Sequence, residues 1–507
     1  MPRALNVLPL LLAASLTWLH PSLLAAADDA AELQYRAWTD ATGTYSTEAA
    51  FLKFEDGKVH LQKKEGGVIV LPAGRLSRAD QQFVRELLAG KRSGDAPTAA
   101  SRPAASGGGA GENDWRWWRG PQFNGVAAEG QSPPTTWSDA ENVVWKTPVP
   151  GRGHSSPVVV GSRVLLTTCD ESSETQSVLC FDRSTGEEKW KREVNRGGLP
   201  RVHNKNTHAS PTVACDGERI YASFAHHDAV HVVALTLEGQ PVWQKTIGPF
   251  QPQQYKYGYA PSPLLYESLV IVAVDYDQGG YLTALKQADG EPAWRAPRPK
   301  RTSYSSPVVA HVGGRDQLLI SGGELVASYD PQNGRPLWSV NATTSATCGT
   351  MVWDGDLVFA SGGYPQAGTF AIRADGSGSI VWQNREKCYE QSMLAHDGYL
   401  YAVNDTGIAY CWKADDGTEM WKTRLGGPVS ASPVLADGNI YIPNERGTMF
   451  VFRAIPRQYE AVSQNQLGDE AFATPAFCGG QVFARVADSS GGRRQEMLYC
   501  LGRQNAE

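Results

Sequence analysis

Ser156-Pro157-Val158-Val159-Val160 opens a stretch that later parts of the chain keep rewriting. The chain turns at Gly161, continues as Val164-Leu165-Leu166 and runs a third time as Val178-Leu179-Cys180-Phe181. Asp182-Arg183-Ser184-Thr185-Gly186 follows, and Trp190 stands four residues past that glycine. Short β-rich runs with turn residues between them predict a four-stranded antiparallel meander. A tryptophan recurs after a glycine-centred turn at Trp243, Trp294, Trp338, Trp382 and Trp421. Four strands per unit, spaced by roughly 40–50 residues, predict a β-propeller.

Innermost strands are expected to begin near Pro157, Pro211, Pro263, Pro307, Thr350, Met393, Pro433 and Pro475. Proline suits that place because an inner strand has a free edge, where a missing N–H breaks no ladder. The outermost strands carry the tryptophans, with a degenerate seventh near Gln458-Tyr459-Glu460. The last set, Pro475 to Leu501, supplies only three strands, while Asn142-Val143-Val144-Trp145-Lys146 is an outer strand with no inner strands before it. The expected fold is mainly β, an eight-bladed β-propeller whose last blade is completed by the strand around Trp145. Such shared-strand closure leaves no open edge between the ends of the ring. Trp145, Trp190, Trp243, Trp294, Trp338, Trp382 and Trp421 are read as structural blade anchors, buried in the core rather than sandwiching a cofactor.

The 507 residues are 41% hydrophobic and 20% charged, a globular composition long enough for several domains. A formal net charge of −6 without a basic cluster argues against nucleic acid or an anionic membrane as partner. Arg3, the apolar run Leu8 to Leu19 and Ala25-Ala26-Ala27 read as a signal peptide over residues 1–27. That run is shorter than a membrane span, so no integral membrane segment is expected after cleavage. The mature protein is expected to be exported, in the periplasm or cell envelope. Residues 28–90 form a small separate domain. Asp56-Gly57 and Glu65-Gly66-Gly67 mark hairpins, and Ser77 caps a helix over 78–88 with Asp80 in its first turn. Residues 91–113, rich in Gly, Ala, Ser and Pro, read as a flexible linker to a propeller spanning 114–507.

The small domain resembles the SLA-one homology domain through Arg36, Trp38, Gly43, Gly57-Lys58-Val59, Leu76-Ser77 and Asp80. The resemblance implies an SH3-like β-barrel and peptide or protein binding. The repeat resembles the pyrroloquinoline-quinone-like propeller, whose turn reads Ala-x-Asp-x-x-Thr-Gly-x-x-x-Trp. Cys180, Asp182, Thr185, Gly186 and Trp190 occupy those places in the first unit; Ser328, Asp330, Gly334 and Trp338 do so in the fourth. Trp115-Arg116-Trp117-Trp118-Arg119-Gly120-Pro121 is similar to the start of exported bacterial propellers of this type. Two functions are implied. One is a non-enzymatic exported scaffold or binding protein, as in BamB-type factors of outer-membrane assembly, holding a protein or peptide partner as a monomer. The alternative is a quinoprotein dehydrogenase using pyrroloquinoline quinone (PQQ) and Ca²⁺. The dehydrogenases carry adjacent cysteines beside the quinone, and no two of the eight cysteines here are adjacent. No cofactor, metal site or catalytic residue is therefore expected under the first reading.

Cys180, Cys411 and Cys500 share one small-residue position in different units and are expected as buried thiols. Cys348 and Cys388 precede adjacent inner strands and are a possible disulfide in an oxidising compartment. Three residues before each inner-strand proline or its equivalent stand His154, His208, Ala260, Tyr304, Thr347, Glu390, Ser430 and Phe472. Equivalent positions of a closed propeller form a ring, so these are expected at one mouth of the channel. His154, His208, Tyr304 and Glu390 are its candidate binding residues. Two histidines and a carboxylate are metal-ligand types, but their units would have to converge across the ring.

Overall fold

The computed structural model describes residues 35–84 with short gaps, Gly111, 114–138 and 141–503. The predicted signal peptide, and all of the predicted linker except Gly111, lie outside these residues. The chain divides into two units, Met1–Ala100 and Ser101–Glu507.

In the first unit β1 (Tyr35–Thr39), β2 (Ser46–Glu55), β3 (Lys58–Lys63) and β4 (Val68–Pro72) form one antiparallel meander. Glu55 pairs with Lys58 across the expected Asp56-Gly57 turn, itself outside the described residues. Alternation along β2 and β3 turns Ala49, Val59 and Leu61 inward, where they pack with Trp38, Leu76 and Val84. Asp80 is buried and takes hydrogen bonds from Arg36 (2.7 Å), the Thr39 amide (2.8 Å) and Ser77 Oγ (2.7 Å). A buried carboxylate with three donors is a satisfied one. Asp80, Phe83 and Val84 are helical, and the rest of the expected helix is outside the described residues.

The second unit holds eight four-stranded antiparallel sheets among its described residues. The first is β6 (Val158–Val160), β7 (Arg163–Asp170), β8 (Thr175–Asp182) and β9 (Glu188–Arg196). The next six follow in chain order over 214–249, 264–298, 308–341, 352–384, 394–424 and 434–466. The eighth takes three strands from Ala476–Leu501 and its fourth from β5 (Val143–Val149), with Trp145 opposite Cys500. The inner strand of the eighth sheet contacts β6, so the sheets close on themselves.

Each outer tryptophan lies opposite a small residue of its own sheet: Trp190 faces Cys180, Trp294 faces Ala284 and Trp421 faces Cys411. Its indole N–H then reaches the following sheet. Trp145 donates to Arg183 O (2.9 Å), Trp190 to Leu237 O (3.1 Å) and Trp382 to Ala414 O (2.8 Å). The turn glycine of that sheet lies under the ring, as at Gly417, where a Cβ would meet Trp382 at 2.7 Å and φ is +73°. Only a residue without Cβ accepts both the approach and the left-handed backbone. Trp338 departs from the pattern by donating to Gln317 Oε1 (2.7 Å), whose amide bonds Ala374 O of the next sheet (2.7 Å). The joint there runs through a relay.

The seventh outer strand is Ala461–Gln466, past the expected Gln458-Tyr459-Glu460, and Ser463 stands where the other sheets have tryptophan. The lead-in compensates. Thr135 O accepts from Ser463 Oγ and from Asn465 Nδ2 (3.0 Å), the Trp137 amide bonds Asn465 Oδ1 (3.0 Å), and Trp137 joins the core of Val451, Trp145 and Phe483. Among the described residues no helix is long and apolar enough to cross a membrane.

Candidate functional site

A Ser or Thr at the start of each inner strand ties the sheets together around the axis. The Ser156 amide bonds Thr212 Oγ1 (2.9 Å), Thr212 bonds Ser262 Oγ (3.0 Å) and Ser262 bonds Ser306 Oγ (2.9 Å). Thr350 Oγ1 donates to Ser306 O (3.4 Å), and its amide continues the chain to Ser392 (2.9 Å). Ser392 reaches Ser432 (2.8 Å), Ser432 reaches Thr474 (3.0 Å), and Thr474 returns to Ser156 Oγ (3.1 Å). The ring satisfies buried amides that have no ladder partner at the free inner edge. Its signal was the hydroxyl residue in Ser-Pro and Thr-Pro at five of the eight strand starts.

Two residues before each hydroxyl, in the segments that lead into the inner strands, stand further side chains that face the same space. They are His154, Ser210, Ala260, Tyr304, Cys348, Glu390, Ser430 and Phe472, and all eight line one cavity of about 280 Å³. Counting back from proline placed six of them. It failed in the second sheet, where Pro211 precedes the hydroxyl Thr212 instead of following it, and in the fifth, which lacks the proline. His208 therefore lies outside the cavity lining: its Nε2 is 2.9 Å from Pro200 O and its Nδ1 3.2 Å from Glu171 Oε1. Ser210 takes its place, and Cys348 takes that of Thr347. The same register explains why the expected Cys348–Cys388 disulfide is absent. Cys348 lines the cavity, whereas Cys388 packs with Val352, Phe359 and Met393, and both are free thiols. Burial, with Glu390 and Asp405 nearby, raises the Cys348 pKa well above the ordinary range, so it stays a thiol.

The lead-in closes one end of the cavity. Trp115 bridges to Val159, Trp117 Nε1 donates to Pro263 O (2.7 Å), and Arg119 donates to Met393 O (2.7 Å) and Pro433 O (2.9 Å). Partners in the first, third, sixth and seventh sheets require this segment to cross the axis, and Trp118 lines the cavity. Arg119 is fully buried on carbonyls, and burial lowers its pKa to about 9.

His154 stacks on Phe472 with ring centroids 4.3 Å apart. Burial, then the charges of Arg152, Arg485 and Arg494, hold its pKa well below that of a free imidazole, so it is neutral. Tyr304 is buried, and its hydroxyl donates to Tyr255 O (2.5 Å), fixing the loop that carries Tyr255 and Tyr257. Burial raises the Glu390 pKa. Ser430 Oγ contacts Glu390 Oε2 and also Glu445 Oε1 (2.6 Å), yet has one proton to give. The other contact needs a carboxyl proton, and the raised pKa makes Glu390 its holder. Lys205 pairs with Glu445 at 2.7 Å. His203, Lys205, Asn206 and Tyr257, on loops before the second and third sheets, complete the wall; no repeat pattern points to them. Among the described residues no cluster of three metal-ligating side chains is present.

Comparison with known proteins gives two families. The model described as SLA1 homology domain 1, SHD1, matches residues 27–92. The model described as Outer membrane protein assembly factor BamB matches residues 135–258, 256–397 and 368–455. Over 316 residues the chain is 27% identical to the Outer membrane protein assembly factor BamB of Burkholderia pseudomallei, covering 61% of this chain and 66% of that one. Over 57 residues it is 44% identical to the actin cytoskeleton-regulatory complex protein sla1 of Schizosaccharomyces pombe, covering 11% of this chain and 4% of that one. The chain thus spans less than two thirds of either relative. Among solved structures, BamB from Moraxella catarrhalis matches with a TM-score of 0.52 at 12% identity, over 72% of this chain and 98% of that one. A europium-containing methanol dehydrogenase matches with a TM-score of 0.56 at 10% identity, over 77% and 98%. At these identities the likeness shows the fold alone, a β-propeller.

Proposed function

The chain belongs to the family described as outer membrane protein assembly factor BamB, and we propose that it is an exported, non-enzymatic scaffold of the cell envelope. On this reading an eight-bladed propeller and an SH3-like SLA1 homology domain 1 each offer a surface to protein or peptide partners in the periplasm. The observation that carries it is the family match over residues 135–455, in a chain that also carries a domain matched over 27–92. The protein works as a monomer, without nucleic acid.

The dehydrogenase reading has the fold likeness behind it but not the side chains. Pyrroloquinoline quinone is a planar tricarboxylate, and such a ligand needs cationic partners. The cavity wall offers Lys205, already paired with Glu445, beside the buried Glu390. That donor set does not fit the quinone. A fold of this kind hosts several functions, and the site decides between them.

The test is capture of partners from the exported fraction by the intact chain and by a chain lacking residues 28–90. A partner lost only with the deletion assigns recognition to the small domain; capture of none by either chain overturns the scaffold reading. Gel filtration with PQQ and Ca²⁺ tests the alternative, and stoichiometric retention of quinone would promote it.

A further inference from the structure

We propose that the axial cavity is a binding site for an uncharged saccharide. Its floor, rim and wall each restrict the ligand, and together they leave this class.

The floor is made of hydroxyls with an unused proton. Ser156, Thr212, Ser262, Ser306, Ser432 and Thr474 line the cavity, and each oxygen accepts an amide N–H from the neighbouring sheet. None of the six donates to another described residue. Trp118 Nε1 and His154 Nε2 are also buried without a hydrogen-bond partner among the described residues, and both residues line the cavity. An apolar ligand would leave these groups unpaired, and each such group carries a desolvation cost. The occupant must therefore present several hydrogen-bonding atoms at once.

The rim decides the charge. Glu390 and Glu445 share Ser430, and Lys205, the one Lys or Arg of the described lining, is taken up by Glu445, so among the described lining residues no lysine or arginine is left unpaired for an anion. A cationic ligand would find Glu445 already paired with Lys205 and Glu390 holding a proton, so the rim leaves no free carboxylate for it. A polyol offers lone pairs to the floor and O–H groups to the rim.

The wall decides the shape. Tyr257 and Tyr304 line it with ring centroids 5.8 Å apart and planes at 30°, and Tyr364 and Tyr389 add two further rings to the lining. Ring faces of this kind pack against the C–H face of a pyranose while its hydroxyls point sideways. The volume suits one or two sugar rings and lies at the small end of ligand pockets, with aromatic lining and few placed polar groups.

The proposal stands on the cavity alone, so a failed titration leaves the scaffold reading untouched and a failed partner capture leaves this one untouched. The test is calorimetric titration of the full chain with maltose, cellobiose, N,N′-diacetylchitobiose and, as an anion control, sodium phosphate. At least one sugar is expected to bind and phosphate is not. Tyr257→Ala and Glu390→Gln are each expected to weaken the sugar at least tenfold, while a second pair on exposed positions of outer strands, Val144→Thr and Val242→Thr, neither of which lines the cavity, leaves it unchanged. Circular dichroism and melting of each variant establish that the fold is kept. Binding of none of the three sugars, binding of phosphate in their place, or sugar binding indifferent to both cavity variants would each overturn the proposal.

Discussion

The outer joints between sheets and the ring around the axis hold the same neighbours together by opposite means. At the outside one device recurs: a tryptophan stacked over the next turn glycine, with its N–H on that turn's carbonyl, as at Trp145, Trp190, Trp243 and Trp382. At the axis the hydroxyl is repeated, but the side chain two residues before it changes from sheet to sheet: His154, Tyr304, Glu390, Phe472. The outer joints share one task, so seven of the eight sheets keep the tryptophan, Ser463 standing in its place in the seventh. A mouth that receives one ligand has no eightfold task, and its eight positions diverge.

The largest effect should come from the one strand on which closure depends. Deleting residues 114–147 removes most of β5, with Trp145, Trp137 and the Trp115–Arg119 crossing. It is expected to lower the melting temperature by at least 10 °C, since each kcal/mol is worth roughly 2–4 °C for a chain of this kind. Deleting 28–90 should leave the propeller's transition where it is. Equal melting points for the two deletions would sink the shared-strand closure.

Single substitutions compare the two kinds of joint directly. Trp382→Ala opens a cavity between sheets and is expected to cost about 3–5 kcal/mol in urea unfolding. Ser262→Ala leaves the buried Thr212 amide without its acceptor and is expected to cost about 1–3 kcal/mol. Should the serine cost as much as the tryptophan, the axis rather than the rim holds the sheets together.

The fourth joint sharpens the outer rule. Trp338 sits against Gln317 and not against the turn of the fifth sheet, where Gly376 has φ +96° and a Cβ added to it would meet nothing within 4 Å. Gly376→Ala therefore meets backbone strain alone. Gly417→Ala meets that strain and the Trp382 ring at 2.7 Å, and is expected to be more destabilising by about 1 kcal/mol or more. The same denaturation series reads both, and equal costs would mean that the indole seat is not tight.

Legibility in the sequence follows this division. The meander, the tryptophan spacing, the small residue opposite and the borrowed strand at Trp145 all lie in a repeated pattern, and a repeat can be read by aligning it with itself. The SLA1 homology domain was legible because its residues occur as a dense set between Arg36 and Asp80. The mouth was legible only as far as its register. Proline marked the strand start in most sheets, but the physical constant is the hydroxyl that caps the neighbouring amide. Where Pro211 comes before Thr212 the count slipped to His208. Loop residues such as His203, Tyr257 and Tyr364 reach the cavity through tertiary folding, which no local pattern encodes. The crossing of Trp115–Arg119 is equally non-local, since its partners are 44 to 314 residues away in the chain.

The smallest expected effect is a difference in pH dependence, and it separates mouth from joint because the indole joints hold no titrating group. His154 has its pKa lowered on folding, chiefly by burial. The unfolded chain therefore binds the proton first, and stability that is full above the unfolded value near 6.5 is lost as pH falls below it. Glu390 has its pKa raised, again chiefly by burial. The folded chain holds that proton more tightly, so its contribution is present below the unfolded value near 4.5 and is lost as pH rises through the folded pKa. The two groups thus tilt the stability curve in opposite senses. His154→Phe should lessen the loss of stability on going from pH 7 to pH 5 relative to the parent chain, and Glu390→Gln should lessen the loss on raising the pH from 4.5. Trp382→Ala should shift the whole curve down without changing its slope. Urea midpoints measured at half-unit steps from pH 4.5 to 7.5 read all three. If His154→Phe leaves the slope below pH 6.5 unaltered, the imidazole is already free to protonate in the folded mouth, and its stacking on Phe472 does not shield it from water.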